Sequence, residues 1–152
     1  MIKILFILTS IFALGGANDI NIDTTFGEVK KSHKHMLIFL HKPHCGYCER
    51  MIEFTLTDEK IEKKIKNNFI FVDIDTDNSG EVIFDGFKGS KKEFAEDLGY
   101  NFYPSSVFLD SDKEEVYAVA GYKDENDYLT VLRFVESFSY ENVGIDDFKE
   151  SE

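Results

Sequence analysis

Short apolar runs alternate along most of the chain with segments whose apolar residues are spaced as in helices. The apolar runs predict where the strands lie. Residues 36–40 and 69–74 have the length and the apolar content of buried strands. Residues 104–109 and 115–121 are separated by a turn with two aspartates, which is the pattern of a hairpin. One more short strand is expected at residues 81–84, inside a loop that is rich in glycine and polar residues.

Segments with the apolar spacing of helices lie before, between and after these strands. A helix between two buried strands implies that those strands are parallel, because the chain must cross back over the sheet. The hairpin adds antiparallel strands, so we predict an α/β fold in which helices cover both faces of a mixed central sheet. The predicted helices are residues 23–34, 45–56, 58–67, 91–98 (ended by Gly99) and 124–138.

The two ends of the chain have different compositions from the body. Residues 1–17 have the features of an export signal: Lys3, an apolar run and then small residues, with cleavage expected after Ala17. The apolar run of about 11 residues is shorter than the ~20 that span a membrane as a helix, although an uncleaved anchor is the alternative. Residues 18–140 are expected to form one domain. Residues 141–152 are expected to be an acidic tail, which Ile145 and Phe148 could attach to the body.

Composition narrows the possible functions. The chain has 152 residues, with 29 acidic and 17 basic side chains and a formal net charge of −12. This acidity argues against binding to nucleic acid or to anionic lipid, since both need a basic surface. Two cysteines three residues apart cannot make a multi-disulfide scaffold. Export would place the protein where disulfides persist, and we expect a bacterial periplasm, with no stable membrane insertion after cleavage of the signal.

The cysteine pair Cys45-Gly46-Tyr47-Cys48 is the main candidate for chemistry. It lies where a buried strand ends and a helix begins, so unpaired backbone N–H groups and the helix dipole would stabilise a thiolate at Cys45. The pKa of that thiol should then fall below the ~8.5 of a free cysteine. Cys48 lies nearly one helical turn later and can reach Cys45. We therefore expect Cys45 to attack, Cys48 to resolve, and His44 to add positive charge.

Other interpretations of the pair are a structural disulfide, a haem attachment site and a metal site. A structural disulfide here would close too short a loop to stabilise the fold much. Haem attachment requires a histidine after the second cysteine, and Glu49 occupies that place. His41 and His44 are suitable ligand types beside the two cysteines, but the turn at Pro43 should separate them. We therefore expect no metal and no cofactor.

Several motifs together resemble those of thioredoxin-fold proteins, and most closely the exported thioredoxin-like group that includes SoxW-type proteins. The resemblance covers residues 24–140, nearly all of the chain after the signal. It rests on five segments, which are residues 38–40, 43–51, 71–75, 103–108 and 121–122.

The resemblance implies roles for residues outside the cysteine motif. Pro104 would be a cis proline lying against the two sulfur atoms, and Tyr103 would offer its backbone to an extended substrate segment. Gly46 and Tyr47 form the dipeptide found in the periplasmic disulfide isomerase. That isomerase needs a separate dimerisation domain, for which the 135 residues after the signal would leave no room.

Two positions depart from the thioredoxin pattern. Cytoplasmic thioredoxins carry a buried aspartate and a lysine at the places that Phe39 and Phe71 occupy here. The proton acceptor for Cys48 is therefore expected to be Glu49, Glu53 or water.

These observations favour a periplasmic thiol–disulfide oxidoreductase that reduces disulfides in protein substrates. Because the periplasm has no reducing pool, turnover would need a membrane thiol-electron donor as a partner. A disulfide isomerase or oxidase is the alternative within enzymes. The alternative from another class is a binding or chaperone-like module with a redox-silent cysteine pair.

Overall fold

The computed structural model describes residues 18–151, so the expected export signal at residues 1–17 lies outside the described residues. The strands and helices follow the predicted order, with two additional strands and one additional helix. The strands are β1 (Ile20–Asn21), β2 (His35–His41), β3 (Phe69–Asp75), β4 (Glu81–Phe84), β5 (Phe87–Ser90), β6 (Ser105–Leu109) and β7 (Glu115–Ala120). The helices are α1 (Ile22–Ser32), α2 (Gly46–Arg50), α3 (Glu59–Asn68), α4 (Lys91–Asp97), α5 (Glu125–Glu136) and α6 (Ile145–Ser151).

A four-stranded sheet in the order β3-β2-β6-β7 forms the centre of the fold. Strand β2 is parallel to β3 and antiparallel to β6, and β7 pairs with β6 in the predicted hairpin. The mixed sheet is therefore confirmed. Strand β2 is buried along almost its whole length because it has a strand on each side and helices on both faces.

Helices cover both faces of this sheet, as predicted. Side chains of α1 and α4 pack on the face that Met36, Ile38 and Leu40 of β2 present. Side chains of α3 and α5 pack on the face of Leu37 and Phe39. Successive residues of β2 thus alternate between two apolar cores, which explains why the strand is a continuous apolar run.

A second sheet, in the order β1-β4-β5, was only partly predicted because two of its strands carry weak signals. Strand β1 has two residues, and β5 reads Phe-Lys-Gly-Ser without an apolar run. Gly80 precedes β4 with φ +106°, and a Cβ there would lie 2.5 Å from the Asn18 carbonyl oxygen. Only glycine allows this close approach.

The predicted helix at residues 45–56 is divided into two parts. Helix α2 ends at Arg50, and Met51–Thr55 form a π-helical turn. The hydroxyl of Thr55 donates a hydrogen bond to the Lys123 carbonyl oxygen at 2.8 Å. The π-helical turn is thereby tied to the loop that follows β7.

The segment expected to be a solvated acidic tail contains helix α6 instead. Phe148 lies edge-on to Phe134 of α5, with ring centroids 5.4 Å apart, and Ile145 packs against the same core. Lys149 Nζ lies 3.3 Å from Asp127 Oδ1. The weaker expectation, that Ile145 and Phe148 hold this segment on the body, agrees with the structure. None of the helices within residues 18–151 is both long and apolar enough to cross a membrane.

Candidate active site

The two cysteines form a disulfide at the carboxyl end of β2, with their Cα atoms 5.2 Å apart. Cys45 is the N-cap of α2, and its Sγ accepts a hydrogen bond from the Cys48 backbone N–H at 3.2 Å. Cys48 is fully buried, whereas Cys45 is partly exposed. Only the Cys45 sulfur is therefore open to a partner thiol or disulfide.

His44 makes the turn that places Cys45 at the start of the helix. Its φ is +55°, in the left-handed region that residues other than glycine rarely adopt. The side chains of Pro43 and His44 are exposed. His44 therefore lies next to the disulfide at the surface, as the sequence led us to expect, and its backbone conformation was not predicted.

Strand β6 brings the segment around Pro104 beside the disulfide, because β6 is the antiparallel neighbour of β2. The Tyr103–Pro104 peptide bond is cis. The carbonyl oxygen of Tyr103 lies 3.7 Å from Cys45 Sγ. The Pro104 carbonyl accepts a hydrogen bond from the Gly121 N–H at 2.7 Å, which joins this segment to the loop after β7.

Aromatic rings flank the disulfide, and two of them have a basic side chain over their face. The sequence did not predict this arrangement. The ring of Tyr47 lies nearly parallel to that of Tyr122, with centroids 6.4 Å apart, and the Arg50 guanidinium carbon lies 4.9 Å from the centre of the Tyr122 ring. The ammonium of Lys42 lies 5.5 Å from the centre of the Tyr103 ring. Since Arg50 and Tyr122 are far apart in the chain, no motif could have linked them.

Phe39 and Phe71, which the resemblance placed where thioredoxins carry charges, have neighbouring rings on one face of the sheet. The rings of Phe39 and Phe71 are 6.5 Å apart. The next position on the same face of each strand is polar: His41 Nε2 lies 2.9 Å from Asp73 Oδ1. His41 Nε2 is buried, and no hydrogen bond within residues 18–151 reaches it.

The candidate proton acceptors Glu49 and Glu53 are both exposed, whereas the Cys48 sulfur is buried. His41 and Asp73 are two ionisable side chains on the face of the sheet toward which Phe39 points. Sequence reasoning missed this pair. Alternation along β2 and β3 would have placed both residues on the face of Phe39 and Phe71.

The sequence left open a metal site at His41, His44 and the two cysteines. Across residues 18–151, no three or more histidine, cysteine, aspartate or glutamate side chains are arranged to hold a metal ion. His41 pairs with Asp73, and both cysteine sulfurs are used in the disulfide.

Comparisons with known proteins place the chain in a family. Residues 22–136 match the model of the thioredoxin-like domain. No curated protein matches the sequence.

Among solved structures, a thioredoxin-fold protein from Helicobacter pylori is similar, with TM-score 0.65, 22% identity, and coverage of 79% of this chain and 80% of that one. A Bacteroides thetaiotaomicron protein provisionally assigned as a disulphide-isomerase has TM-score 0.62 and 18% identity, with coverage of 84% and 93%. The oxidised C-terminal domain of DsbD from Neisseria meningitidis has TM-score 0.55 and 12% identity, with coverage of 83% and 100%.

These structural likenesses establish the fold, and the closer resemblance to SoxW-type proteins stays a prediction. The family model covers most of the described chain, including β2, the cysteine pair and β6. This protein is a member of the thioredoxin-like family.

Proposed function

We propose that the protein is an exported thiol–disulfide oxidoreductase that reduces disulfide bonds in protein substrates through Cys45 and Cys48. The observation that carries this proposal is the difference in burial between the two bonded sulfur atoms. Cys45 is accessible, while Cys48 is fully buried one turn along the helix. A partner can therefore bond to only one of the two sulfurs, and the other is held ready to displace it.

In the reducing direction, the Cys45 thiolate attacks one sulfur of a substrate disulfide. A Cys45–substrate disulfide forms, and the second substrate sulfur leaves as a thiolate. The Cys48 thiolate then attacks Cys45 Sγ, which closes the Cys45–Cys48 disulfide and releases the first substrate thiolate. Two electrons pass from the protein to the substrate, and the protons lost by the two cysteines balance those taken up by the substrate thiolates.

The local backbone supports the attacking thiolate. The Cys48 N–H already donates to Cys45 Sγ at 3.2 Å, and a donor at this distance favours a negative charge on the sulfur. Cys45 is also the N-cap of helix α2, and the helix dipole favours a negative charge at this position. The exposed imidazole of His44 can add positive charge when it is protonated.

The segment around Pro104 would hold the substrate chain. Tyr103 is half-buried beside Cys45, and we place an extended substrate segment along its backbone. Gly46 and Tyr47 form the facing side of the site. Glycine at position 46 has no atom within 4 Å of the place where a Cβ would lie, so that side is open.

We place the protein in the periplasm because the sequence predicts an export signal at residues 1–17. A periplasmic protein that reduces substrates must itself be reduced again, and a membrane thiol-electron donor is the partner we propose.

A second function, disulfide isomerase or oxidase, is favoured by one specific observation. The Gly46-Tyr47 dipeptide is that of the periplasmic isomerase, and a protein provisionally assigned as a disulphide-isomerase is among the similar structures. The same two cysteines would serve, with electrons moving in the other direction or returning to the same substrate.

The equilibrium reduction potential decides between these directions. We expect the protein of residues 18–152, equilibrated in dithiothreitol buffers, to have a potential near the ~−270 mV of thioredoxin. A potential near the ~−120 mV of the strong periplasmic oxidant would overturn the reducing direction.

A binding or chaperone-like module is tested separately with Cys45→Ser. If substrate binding and cellular phenotype were unchanged in that variant, the protein would act without redox chemistry. We expect both to depend on Cys45.

A further inference from the structure

The surface around the Cys45 sulfur combines aromatic rings with basic groups. We call it the rim, and it consists of Lys42, Tyr47, Arg50, Tyr103 and Tyr122. Two of the rings hold a basic group near their faces, one on each of two separate segments beside the disulfide. Cation–π contacts of this kind fix the position of long side chains that would otherwise move freely.

One part of the rim is built on helix α2. Arg50 lies on the face of Tyr122, and Tyr47 lies beside the same ring with 66% of its surface exposed. A shallow depression of about 310 Å³, lined by Gly46, Tyr47 and Arg50, opens next to the cysteine pair. A side chain that follows or precedes a partner cysteine can enter this depression.

The loop carrying Tyr122 is held in place from two directions. The Gly121 N–H donates to the Pro104 carbonyl oxygen at 2.7 Å, and the Thr55 hydroxyl donates to the Lys123 carbonyl oxygen at 2.8 Å. Tyr122 lies between these two anchors. The ring that supports Arg50 is therefore fixed relative to both the Pro104 segment and helix α2.

The other part of the rim is built on the Pro104 segment. Lys42 lies over the ring of Tyr103, whose carbonyl oxygen is 3.7 Å from Cys45 Sγ. Within residues 18–151, neither Lys42 nor Arg50 has a carboxylate oxygen within 4.0 Å. Both positive charges are therefore available to a partner.

The charge of the rim segments is opposite to that of the rest of the protein. Residues 42–50, 101–106 and 121–124 contain three basic and two acidic side chains, whereas the remainder of the chain contains 14 basic and 27 acidic ones. The positive charges near the Cys45 sulfur would attract partners with negative charges close to their cysteine, although the protein as a whole is acidic.

We propose that the rim makes the protein selective for partner cysteines flanked by acidic side chains, with Arg50 and Lys42 as the selecting residues. This inference rests on the proposed function and names its substrate class. When the partner segment lies across Cys45, a carboxylate beside the partner cysteine would pair with the guanidinium of Arg50 or the ammonium of Lys42. The partner is a protein segment with aspartate or glutamate next to its disulfide.

The test uses three peptide disulfides of equal length whose cysteines are flanked by aspartate, serine or lysine. Each peptide is mixed with reduced protein at about 0.15 M salt, where the screening length of about 8 Å leaves mainly the charges near the sulfur effective. The second-order rate of Cys45–Cys48 oxidation is measured for the unaltered protein and for Arg50→Glu. Flanking charge also changes the reactivity of the peptide itself, so the measured quantity is the variant-to-parent rate ratio for each peptide.

For Arg50→Glu, we expect the rate ratio with the aspartate peptide to be roughly three- to tenfold lower than the ratio with the serine peptide. The ratio with the lysine peptide should be higher than the ratio with the serine peptide. Lys42→Glu should act in the same direction. Lys30→Glu is the matched control: it changes the net charge equally but lies on α1, which ends near the opposite end of β2. Its three ratios should be equal.

Three results would overturn the inference. If Arg50→Glu and Lys42→Glu changed all three peptides equally, the rim would not select by charge, while the proposed function would stand. If Lys30→Glu reproduced the Arg50→Glu pattern, net charge alone would explain it. If the unaltered protein oxidised with none of the peptides, the proposed function would fail first and the inference with it.

Discussion

The two ends of β2 carry similar side chains in opposite settings. At the amino end, His35 is only 3% exposed, its Nε2 is hydrogen-bonded to Tyr140 Oη at 2.8 Å, and the ring of Phe138 packs against it. Beyond the carboxyl end, His44 and Tyr47 are exposed beside the Cys45 sulfur. Each end thus combines a histidine with aromatic rings, but only one end is covered.

The difference shows how one chain uses the same residue types for stability and for chemistry. The turn of residues 138–141 covers His35 at the amino end, so the hydrogen bond between His35 and Tyr140 is shielded and costly to lose. Beyond the carboxyl end the surface is open among the described residues, and Lys42 and Arg50 lie on aromatic rings rather than on carboxylates. Changes at the amino end should therefore affect the free energy of unfolding, and changes at the carboxyl end should affect the exchange rate.

The largest expected effect is that of Cys45→Ser. Thiol–disulfide exchange should fall by roughly 10³-fold or more, because the remaining Cys48 is fully buried and cannot meet a partner. The free energy of unfolding should fall by only about 2 kcal/mol, which is the low end of what a disulfide contributes, because the bond closes a very short loop. Peptide-disulfide exchange and urea unfolding of the same preparation measure both quantities. Substantial exchange by the variant would remove Cys45 from the attacking role.

Tyr140→Phe makes the opposite change at the covered end. Removing the hydroxyl leaves the buried His35 Nε2 without its partner, so unfolding should become easier by about 1 to 2 kcal/mol. The exchange rate of the folded protein should stay the same, because the change lies at the far end of β2. A fall in exchange rate without a fall in stability would contradict the division between the two ends.

Phe148→Ala tests whether helix α6 is held on the body of the protein. The half-buried ring packs against Phe134, and its loss should reduce the free energy of unfolding by about 1 kcal/mol. Exchange should again be unaffected. Phe102→Ala is a matched control, because that ring is 73% exposed and should contribute almost nothing to stability. Equal effects of the two substitutions would show that α6 is not held on the body.

The smallest expected effect is a dependence of stability on pH. Burial lowers the pKa of His35 below its usual value, against the opposing charges of Asp110 and Glu141. The unfolded chain therefore binds more protons than the folded protein once the pH falls below about 6.5, and stability decreases from there toward the lowered pKa. The loss between pH 7 and pH 5 should be smaller in His35→Gln than in the unaltered protein. An identical pH dependence in both would show that His35 has the same pKa in the folded and unfolded states, against the lowered pKa given above.

The central part of the fold could be predicted because its signals are local. The apolar runs of β2 and β3, the hairpin of β6 and β7 and the spacing of α5 each need only neighbouring residues. Strands β1 and β5 could not be predicted, since they are short and are strands only because β4 pairs with both of them. Helix α6 was not predicted because its sequence is mostly acidic and polar. Among its described residues, only Ile145 and Phe148 pack on the core that includes α5.

The cysteine pair and its place at the end of β2 were also within reach of the sequence. The rim was not, because the contacts of Arg50 with Tyr122 and of Lys42 with Tyr103 join distant segments. The left-handed turn at His44 and the π-helical turn at Met51–Thr55 have no sequence signature of their own. The first lies where the chain passes from β2 into α2, and the second follows α2.

The account depends most on Cys45 being the attacking sulfur and Cys48 the resolving one. Trapping tests this directly: reduced Cys48→Ser and reduced Cys45→Ser are each mixed with the same peptide disulfide, and the adducts are weighed by mass spectrometry. We predict that Cys48→Ser accumulates a stable mixed disulfide at Cys45, because nothing remains to displace the peptide, while Cys45→Ser forms almost none. Equal adducts on both variants, or an adduct only on Cys48, would contradict the account.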